Sequence, residues 1–227
     1  MKEILEKAIA RKQKTLSEYE SKQILEKASI AIARQGLAQT KKEAEELAEK
    51  IGYPLVLKGC SDTLTHKTEM GMVKLNVKDA SELSFAYDEL TSEDIEMDGV
   101  LVMEMISGDR EFVIGLIRDP QFGPCVMFGL GGIFTEALED VSFRVAPLEM
   151  FDAEDMISEI KAQKLLENFR GKPAVDRKAL KDILVRVGQL GVENDEIAEI
   201  DINPIVICGE KPVAVDALIV LNDAMHI

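Results

Sequence analysis

A lysine that ends an apolar run, followed closely by a serine, is the first group in this chain with the chemistry to bind phosphate. The run covers residues 55–58 and ends in Lys58, and Ser61 opens a polar loop that carries His66 and Lys67. Lysine supplies a positive point charge, while a hydroxyl and nearby backbone N–H groups supply further donors. Because lysines at strand ends are common, this pattern predicts a phosphate site only together with other motifs.

Oxygen ligands for a metal ion lie near the end of the chain, around Pro204. Asp201 and Asn203 alternate with isoleucines, so on a strand both side chains point to one face and the isoleucines to the other. Carboxylate and amide oxygens, with Asp216 on a neighbouring strand, suit Mg²⁺ that carries nucleotide phosphates. Asx-turn chemistry around Pro204 explains the same residues equally well.

Two further stretches hold residues that could carry chemistry. The glycine-rich turn 129–132 would let the backbone approach a phosphate. It lacks the ending of a Walker A loop and the helix start of a dinucleotide fingerprint, so an ordinary turn is the alternative. Arg144 stands in an otherwise apolar strand, and its alternative role is a structural ion pair with Asp140 or Glu136.

The middle of the chain has the pattern of an apolar hairpin. Residues 100–106 and 111–117 have the pattern of paired strands, with a Ser-Gly-Asp turn between them. Each strand includes one carboxylate, Glu104 in the first and Glu111 in the second. A solvent-facing position is the usual explanation for such residues.

Helices and strands alternate along the rest of the chain, and two capping boxes mark helix starts. Ser17 with Glu20 predicts a helix to about residue 28, and Thr40 with Glu43 predicts a helix that ends at Gly52. Periodicity and turn residues predict the other helices over 2–13, 80–90, 152–168 and 177–191, and strands over 30–33, 72–77, 125–128, 141–147, 196–201, 205–208 and 213–216. We place the main division near residue 99, where the second, more β-rich part begins.

Composition argues against several classes of function. The 227 residues carry a net charge of −15, with 42 acidic and 27 basic residues, which disfavours binding to nucleic acid or to an anionic membrane. The three cysteines form no C-x-x-C pair, so neither a disulfide framework nor a zinc ribbon is indicated. The charged N-terminus is unlike a signal peptide, and no apolar run is long enough to span a membrane. We expect a cytoplasmic protein.

Five ordered motifs give the chain a family resemblance over roughly residues 16–221. They are Gly-Tyr-Pro-Leu-Val-Leu-Lys at 52–58, Ser-Asp and His-Lys-Thr within 61–68, the glycine-rich stretch 122–134, Ser-Phe-Arg-Val-Ala-Pro-Leu within 139–148, and Asp-Ile-Asn-Pro at 201–204. The chain thereby resembles the β subunits of ADP-forming acetyl-CoA synthetases (acetate–CoA ligase, ADP-forming), of the NDP-forming acyl-CoA synthetase superfamily. Its opening at residues 16–23 also resembles succinyl-CoA synthetase β chains.

This resemblance implies an α+β protein with the ATP-grasp fold, in which two α+β lobes clamp a nucleotide. It divides the chain into an N-terminal helix over 1–15, a first lobe over 16–99 and a second lobe over 100–227. The cofactors that it implies are ATP or ADP and Mg²⁺.

The resemblance also implies roles for individual residues. Those toward the nucleotide are Lys58 and Ser61 for the phosphates, Glu104, Met105 and Ile106 facing the adenine (Met105 through its backbone), Glu111 for the ribose, and Gly131 and Gly132 beside the phosphates. The remaining roles are Mg²⁺ binding by Asn203 and Asp216, contact of Asp201 with the phosphorylated group of a partner, and steadying of the γ-phosphate or its acceptor by Arg144.

The implied reaction converts ATP, acetate and CoA into ADP, phosphate and acetyl-CoA. In the family, phosphate passes between an acyl phosphate, a histidine of an α subunit and ADP. This chain has no CoA-binding fingerprint and no evident phosphohistidine loop. We therefore expect an α subunit that carries both domains, in an α2β2 heterotetramer, and the acyl group should bind on that subunit.

His66 and Lys67 are the part of the motif that this family adds to a general ATP-grasp protein. Two roles stay open for His66: a transient phosphate carrier between the α subunit and ADP, or a group that binds phosphate or orients Lys67. Met72 replaces a glycine of the usual motif. Two other functions are compatible with the chain, a stand-alone ATP-grasp carboxylate–amine ligase and a non-catalytic nucleotide-sensing module.

Overall fold

Two compact units make up the protein. The computed structural model describes residues 1–61, 71–92, 97–131, 140–168 and 171–222. The small unit comprises 17–20 and 33–106, and the large unit comprises 1–16, 21–32 and 107–227. The chain passes from the small unit to the large unit for the last time at residues 106–107, whereas the sequence placed the division near residue 99. His66, Lys67, Gly132 and Glu136 lie outside the described residues.

Helices and antiparallel sheets both contribute, so the predicted α+β class is confirmed. The helices are α1 Lys2–Ala10, α2 Glu18–Lys27, α3 Lys41–Ile51, α4 Ala80–Ser92, α5 Met150–Glu159 and α6 Arg177–Glu193, with a 3₁₀ turn at Gln163–Leu165. The strands are β1 Gln35–Ala38, β2 Leu55–Cys60, β3 Val73–Val77, β4 Gly99–Glu104, β5 Glu111–Asp119, β6 Gly123–Leu130, β7 Val141–Val145, β8 Ile197–Cys208, β9 Lys211–Ala214 and β10 Leu218–Leu221. No helix in the described ranges is long and apolar enough to cross a membrane.

The small unit is a four-stranded antiparallel sheet with strand order β1-β4-β2-β3, against which α3 and α4 pack. Alanines of α3 and larger residues of α4, such as Leu83 and Leu90, meet the buried side chains of β2 and β4 in one core. The predicted capping box of α3 is confirmed: the Glu43 N–H donates to Thr40 Oγ1, and the Thr40 N–H donates to the Glu43 carboxylate. Gly52 ends the helix with φ +88°, a conformation that favours glycine.

The large unit is built on a six-stranded antiparallel sheet with order β10-β8-β5-β6-β7, and β9 pairs with β8. α6 packs against β5 and β6, and α5 packs against β7. The aromatic rings of Phe112 and Phe128 stack in the core with centroids 5.5 Å apart. Helices α5 and α6 therefore cover one face of this sheet.

The predicted hairpin over 100–117 is wrong. β4 pairs with β1 and β2 in the small unit, whereas β5 pairs with β6 and β8 in the large unit. Both strands are central in their sheets, so each has its own two neighbours. Their continuous apolar character reflects burial on both faces rather than mutual pairing.

Three other boundaries differ from the sequence prediction. Residues 30–33 form no strand, and only Ile32 makes an isolated bridge, to Ala214. α1 ends at residue 10 rather than 13, before Lys12 with its positive φ of 59°. The helix predicted over 152–168 is shorter, because α5 ends at Glu159 and only the 3₁₀ turn follows.

Candidate functional site

The small unit holds Lys58 in a buried, charged environment. Lys58 lies on the central strand β2, opposite Val73 on one side and Leu101 on the other. Its Nζ donates a hydrogen bond to Glu18 Oε1 at 2.8 Å, and the two side chains are only 9% and 3% exposed. Glu18 is a residue that the sequence analysis missed. The only available signal was that it follows Ser17, the start of a capping box.

Ser61 directly follows β2 and is buried. The structure therefore keeps Lys58 and Ser61 on one continuous segment, as the motif predicted. Residues 62–70, with His66 and Lys67, are outside the described ranges.

Glu104 ends β4 and is bound to Arg34. The Arg34 Nε–Glu104 Oε2 distance is 2.9 Å, and the Arg34 backbone N–H also points to this oxygen at 3.4 Å. The hydrogen bond from the Arg34 side chain holds the pKa of the Glu104 carboxyl below its ordinary value, against the effect of burial. Glu104 is thus an ionised carboxylate with a fixed partner rather than a free strand residue.

Met105 and Ile106 continue beyond β4 and are half-buried. The Met105 N–H donates to the carbonyl oxygen of Pro54 at 3.2 Å. In this structure the backbone role predicted for Met105 therefore depends on its carbonyl group, because its N–H already donates within the small unit.

In the large unit, Asp201 and Asn203 lie on one face of β8. Ile200 and Ile202 on the other face are 1% and 0% exposed, whereas Asp201 is half-buried and Asn203 is exposed. The alternation predicted from the sequence is confirmed. Asp201 stands opposite Gly115 of β5, so no side chain of that neighbour covers it.

Asp201 is surrounded by negative charge. Burial raises the pKa of its carboxyl, and the charges of Glu199 and Asp216 raise it further. In the described part of the chain, no group of three or more His, Cys, Asp or Glu side chains is arranged to hold a metal ion. Mg²⁺ usually binds one or two carboxylates together with water and substrate phosphates, a pattern that Asn203 and Asp216 fit.

The segment that carries Asp216 is tied to the N-terminal part of the large unit. Lys22 is fully buried, and its Nζ donates to the Val215 carbonyl oxygen at 3.2 Å. Ser21 Oγ accepts a hydrogen bond from the Ile219 N–H at 3.1 Å. These contacts on both sides of Asp216 fix its backbone, and sequence reasoning did not identify either of them.

Glu111 and Gly131 meet at the start of β5. The Gly131 N–H donates to the Glu111 carbonyl oxygen at 2.8 Å. A Cβ atom on Gly131 would lie 2.8–2.9 Å from backbone atoms of Glu111 and Phe112, so close packing on β5 requires glycine here. Glu111 shares the strand face of Gly115, and therefore of Asp201.

Arg144 does not join this group. It lies in register with Val126, Leu116 and Ile200, which are all buried on the helix-covered face. There its guanidinium pairs with Glu159 of α5, with Nη1 donating to Oε2 at 3.0 Å. The alternative partner Asp140 instead accepts the backbone N–H groups of residues 161 and 162. The structure thus places Asp201, Asn203 and Glu111 on one face of the large sheet and Arg144 on the opposite face. Asp216 lies close enough to Asp201 for its charge to raise the pKa of that carboxyl.

Comparison with known proteins gives the family. The chain matches the ATP-grasp domain family over residues 7–221. It is 45% identical to the β subunit of acetate–CoA ligase (ADP-forming) I of Pyrococcus furiosus over 97% of each chain. It is 40% identical to the β subunit of acetate–CoA ligase (ADP-forming) II of the same organism, over 96% of this chain and 97% of that one. In acetate–CoA ligase (ADP-forming) I of Archaeoglobus fulgidus, the match is 40% identical and covers 88% of this chain but 30% of that protein.

Solved structures agree with this result. Acetyl-coenzyme A synthetase 1 of Ca. Korarchaeum cryptofilum, solved with coenzyme A and Ca-AMPCP, superposes with a TM-score of 0.93 and 45% identity over 97% of this chain and 99% of that one. The same protein solved with Mg-AMPPCP, its phosphohistidine segment pointing towards the nucleotide-binding site, gives a TM-score of 0.88 at 45% identity, with the same coverage. The ATP-grasp fold is therefore confirmed, and the chain belongs to the ATP-grasp domain family, among the β subunits of ADP-forming acetate–CoA ligases.

Proposed function

We propose that this chain is the nucleotide-binding β subunit of an ADP-forming acetate–CoA ligase, an acid–thiol ligase that works with an α subunit. The reaction converts ATP, acetate and CoA into ADP, phosphate and acetyl-CoA. The observation that carries the proposal is the end-to-end similarity to a named β subunit, with 45% identity over 97% of both chains.

On the small unit, the proposal assigns the nucleotide phosphates to Lys58 and Ser61. The buried ammonium of Lys58 lies where few solvent molecules screen its charge, so its attraction for phosphate oxygens is stronger than that of a surface lysine. Glu104, Met105 and Ile106 would face the adenine. The Glu104–Arg34 ion pair supports this assignment by holding the end of β4 in one position.

On the large unit, the proposal assigns the ribose to Glu111, the phosphate region to Gly131 and, in the same motif, Gly132, and Mg²⁺ to Asn203 and Asp216. When bound, Mg²⁺ would supply positive charge to the phosphate oxygens. The exposed Asn203 amide and the half-buried Asp216 carboxylate are oxygen donors of the right kind. The strand β8 and the contacts of Lys22 and Ser21 hold these two residues in place.

Asp201 would receive the phosphohistidine of the α subunit. In the transfer to ADP, the bond between phosphorus and one imidazole nitrogen breaks, and a bond to a β-phosphate oxygen of ADP forms. The other ring nitrogen carries a proton throughout, so the ring leaves as neutral imidazole, with the bonding electron pair on the nitrogen that held phosphorus. A carboxylate beside the ring can accept the N–H of the imidazole and hold the ring in line with ADP. The half-buried position of Asp201, opposite a glycine, leaves room for such a ring.

The partner in this proposal is an α subunit with CoA-binding and phosphohistidine domains, in an α2β2 assembly located in the cytoplasm. Support comes from the A. fulgidus ligase, in which the matched segment is 30% of one long chain. It also comes from the Korarchaeum relative, whose phosphohistidine segment points towards the nucleotide-binding site.

The test is reconstitution with the α subunit encoded by the same genome. The complex should form ADP only when acetate and CoA are both present, and the isolated chain should bind ADP without turnover. ADP release by the isolated chain with an amine acceptor would instead indicate a carboxylate–amine ligase. Nucleotide binding without turnover in the complex would indicate a sensing module.

The proposal keeps both roles of His66 open. Incubating the complex with labelled ATP or acetyl phosphate and mapping phosphohistidine by mass spectrometry separates them. Label on His66 supports the carrier role, whereas a competent complex without that label supports phosphate binding or orientation of Lys67.

A further inference from the structure

The proposed function uses Lys58 but not the carboxylate that touches it. Glu18 Oε1 accepts a hydrogen bond from Lys58 Nζ at 2.8 Å, across 40 residues of sequence. Both residues belong to the small unit, and both side chains are almost completely buried. A buried ion pair adds little net stability, because both charges are removed from water. The Glu18–Lys58 contact is therefore better explained by function than by stability.

The backbone of Glu18 is held firmly. Glu18 is the first residue of α2, and a capping box surrounds it. The Ser17 N–H and hydroxyl donate to Glu20 Oε2 at 3.1 and 2.9 Å, and the Glu20 N–H donates back to Ser17 Oγ at 3.3 Å. An acidic residue in the first helical turn also interacts favourably with the helix dipole. The carboxylate of Glu18 therefore projects from a fixed point.

The ammonium of Lys58 is not fixed by its own backbone. The sheet fixes the main chain of β2 between Val73 and Leu101, but a lysine side chain has four rotatable carbon–carbon bonds before the charge. A side chain that binds phosphate must be held in one place if it is to align the phosphoryl group that is transferred. In this structure Glu18 supplies an anchor for that charge.

We infer that Glu18 is a positioning residue, which holds the Lys58 ammonium in the orientation that contacts the nucleotide phosphates. The inference rests on the proposed function. An ammonium has three donors, so a hydrogen bond to Glu18 is compatible with simultaneous hydrogen bonds to phosphate oxygens. Glu18 itself does not contact the nucleotide in this proposal and acts only through Lys58.

The experiment is a double-mutant cycle on the full chain, with ADP binding measured by calorimetry and unfolding measured by denaturant titration. The variants are Glu18→Gln, Lys58→Met and the two combined. Glu18→Asp is added because it keeps the carboxylate charge but shortens the side chain by one methylene group, which moves the carboxylate away from Lys58. Glu89→Gln is the matched control, since Glu89 pairs with Lys74 at 3.0 Å in the same unit but is 45% exposed.

We expect Glu18→Gln to weaken ADP binding about tenfold, because the charge-assisted hydrogen bond from Lys58 is replaced by a weaker one to a neutral amide oxygen. Glu18→Asp should also weaken it, although the charge is kept. In the Lys58→Met background, Glu18→Gln should change ADP affinity less than about twofold, because its effect passes through Lys58. The double variant should be more stable than Glu18→Gln alone, since it also removes the buried ammonium whose charge Glu18 neutralised.

Three outcomes overturn the inference. The first is ADP affinity that is unchanged or higher in Glu18→Gln. The second is full ADP affinity in Glu18→Asp, which would show that Glu18 acts only by neutralising the charge of Lys58. The third is a Glu18 effect that persists in the Lys58→Met background. If Lys58→Met itself binds ADP normally, the failure lies in the proposed role of Lys58 instead. Glu89→Gln should bind ADP like the unmodified chain.

Discussion

Arg144 and Glu159 form a two-point ion pair on the face of the large sheet opposite to Asp201. On the same edge strand, the Ser142 hydroxyl donates to the Met156 carbonyl oxygen of α5, so the polar side of β7 faces a helix. Phe143 and Val145 point the other way and are each 50% exposed. The usual arrangement of an edge strand, apolar side inward, is thus inverted in β7.

This relationship predicts that Arg144→Met leaves nucleotide binding intact. The guanidinium contacts α5 and lies away from the face of Asp201, so calorimetry should give the same ADP affinity as the unmodified chain. Thermal stability should fall by no more than about 2–4 °C, because the pair is partly exposed.

Glu159→Gln is the matched control and should behave in the same way. A tenfold loss of ADP affinity in Arg144→Met, with Glu159→Gln unaffected, would contradict the placement and restore the phosphate role that the sequence suggested.

Local signals were the ones that sequence analysis interpreted correctly. The capping boxes at Ser17 and Thr40 use contacts within one helical turn, and both are present in the structure. The alternation that puts Asp201 and Asn203 on one strand face is equally local. Long-range pairing was not accessible: β4 and β5 looked like a hairpin because nothing in two adjacent apolar runs shows which sheet each one enters.

The same limit applies to the site. The sequence identifies Lys58 by its strand and its motif, but Glu18 lies 40 residues away, and no local pattern joins the two. Arg144 shows the other side of this limit. The alternation along β7 shows only that Arg144 points to the opposite side from its apolar neighbours. What its side chain contacts on that side depends on where α5 packs.

Asp201→Asn should stabilise the protein at neutral pH while reducing its activity with the α subunit. Burial and the charges of Glu199 and Asp216 raise the pKa of Asp201 in the folded chain above the ordinary value of about 3.9. Between these two pKa values the folded state binds more protons than the unfolded state, so stability falls as pH rises through that window. Asparagine avoids this loss.

We therefore expect Asp201→Asn to raise the free energy of unfolding at pH 7, and this gain should shrink towards zero below about pH 3.9. Urea titrations at pH 7 and pH 3 check it. Acetyl-CoA synthesis should fall about tenfold, as expected when a charge-assisted hydrogen bond is replaced by one to a neutral amide oxygen. A gain that is the same at both pH values would show that the carboxylate charge is not its cause.

Asn203→Ala and Asp216→Ala should remove the Mg²⁺-dependent part of ADP binding. Both residues supply oxygen atoms at the proposed metal position, so each variant should lower Mg-ADP affinity about tenfold or more and leave ADP affinity in EDTA unchanged. Calorimetry with and without Mg²⁺ makes the comparison. Asp195→Asn is the control, because Asp195 is an exposed carboxylate of the same unit that pairs with Arg118. Equal losses with and without Mg²⁺ would argue against metal binding.

Gly131→Ala should destabilise the large unit through crowding against backbone atoms, independently of any effect on nucleotide binding. A Cβ atom at residue 131 would lie 2.8 Å from the carbonyl carbon of Phe112 and 2.9 Å from that of Glu111. Because backbone atoms of β5 cannot move aside as a side chain can, we expect a loss of about 1–3 kcal/mol.

Gly115→Ala is the matched control on the same sheet. Its Cβ would meet the Met127 methyl group at 3.3 Å, which is the flexible end of a side chain, so the loss should stay below about 1 kcal/mol. Denaturant unfolding of the two variants gives the comparison. If Gly131→Ala were as stable as the unmodified chain, a side chain at residue 131 would be compatible with the hydrogen bond from its N–H to the Glu111 carbonyl oxygen. In that case glycine at residue 131 would be required by the bound phosphate rather than by packing, and ADP affinity alone should fall.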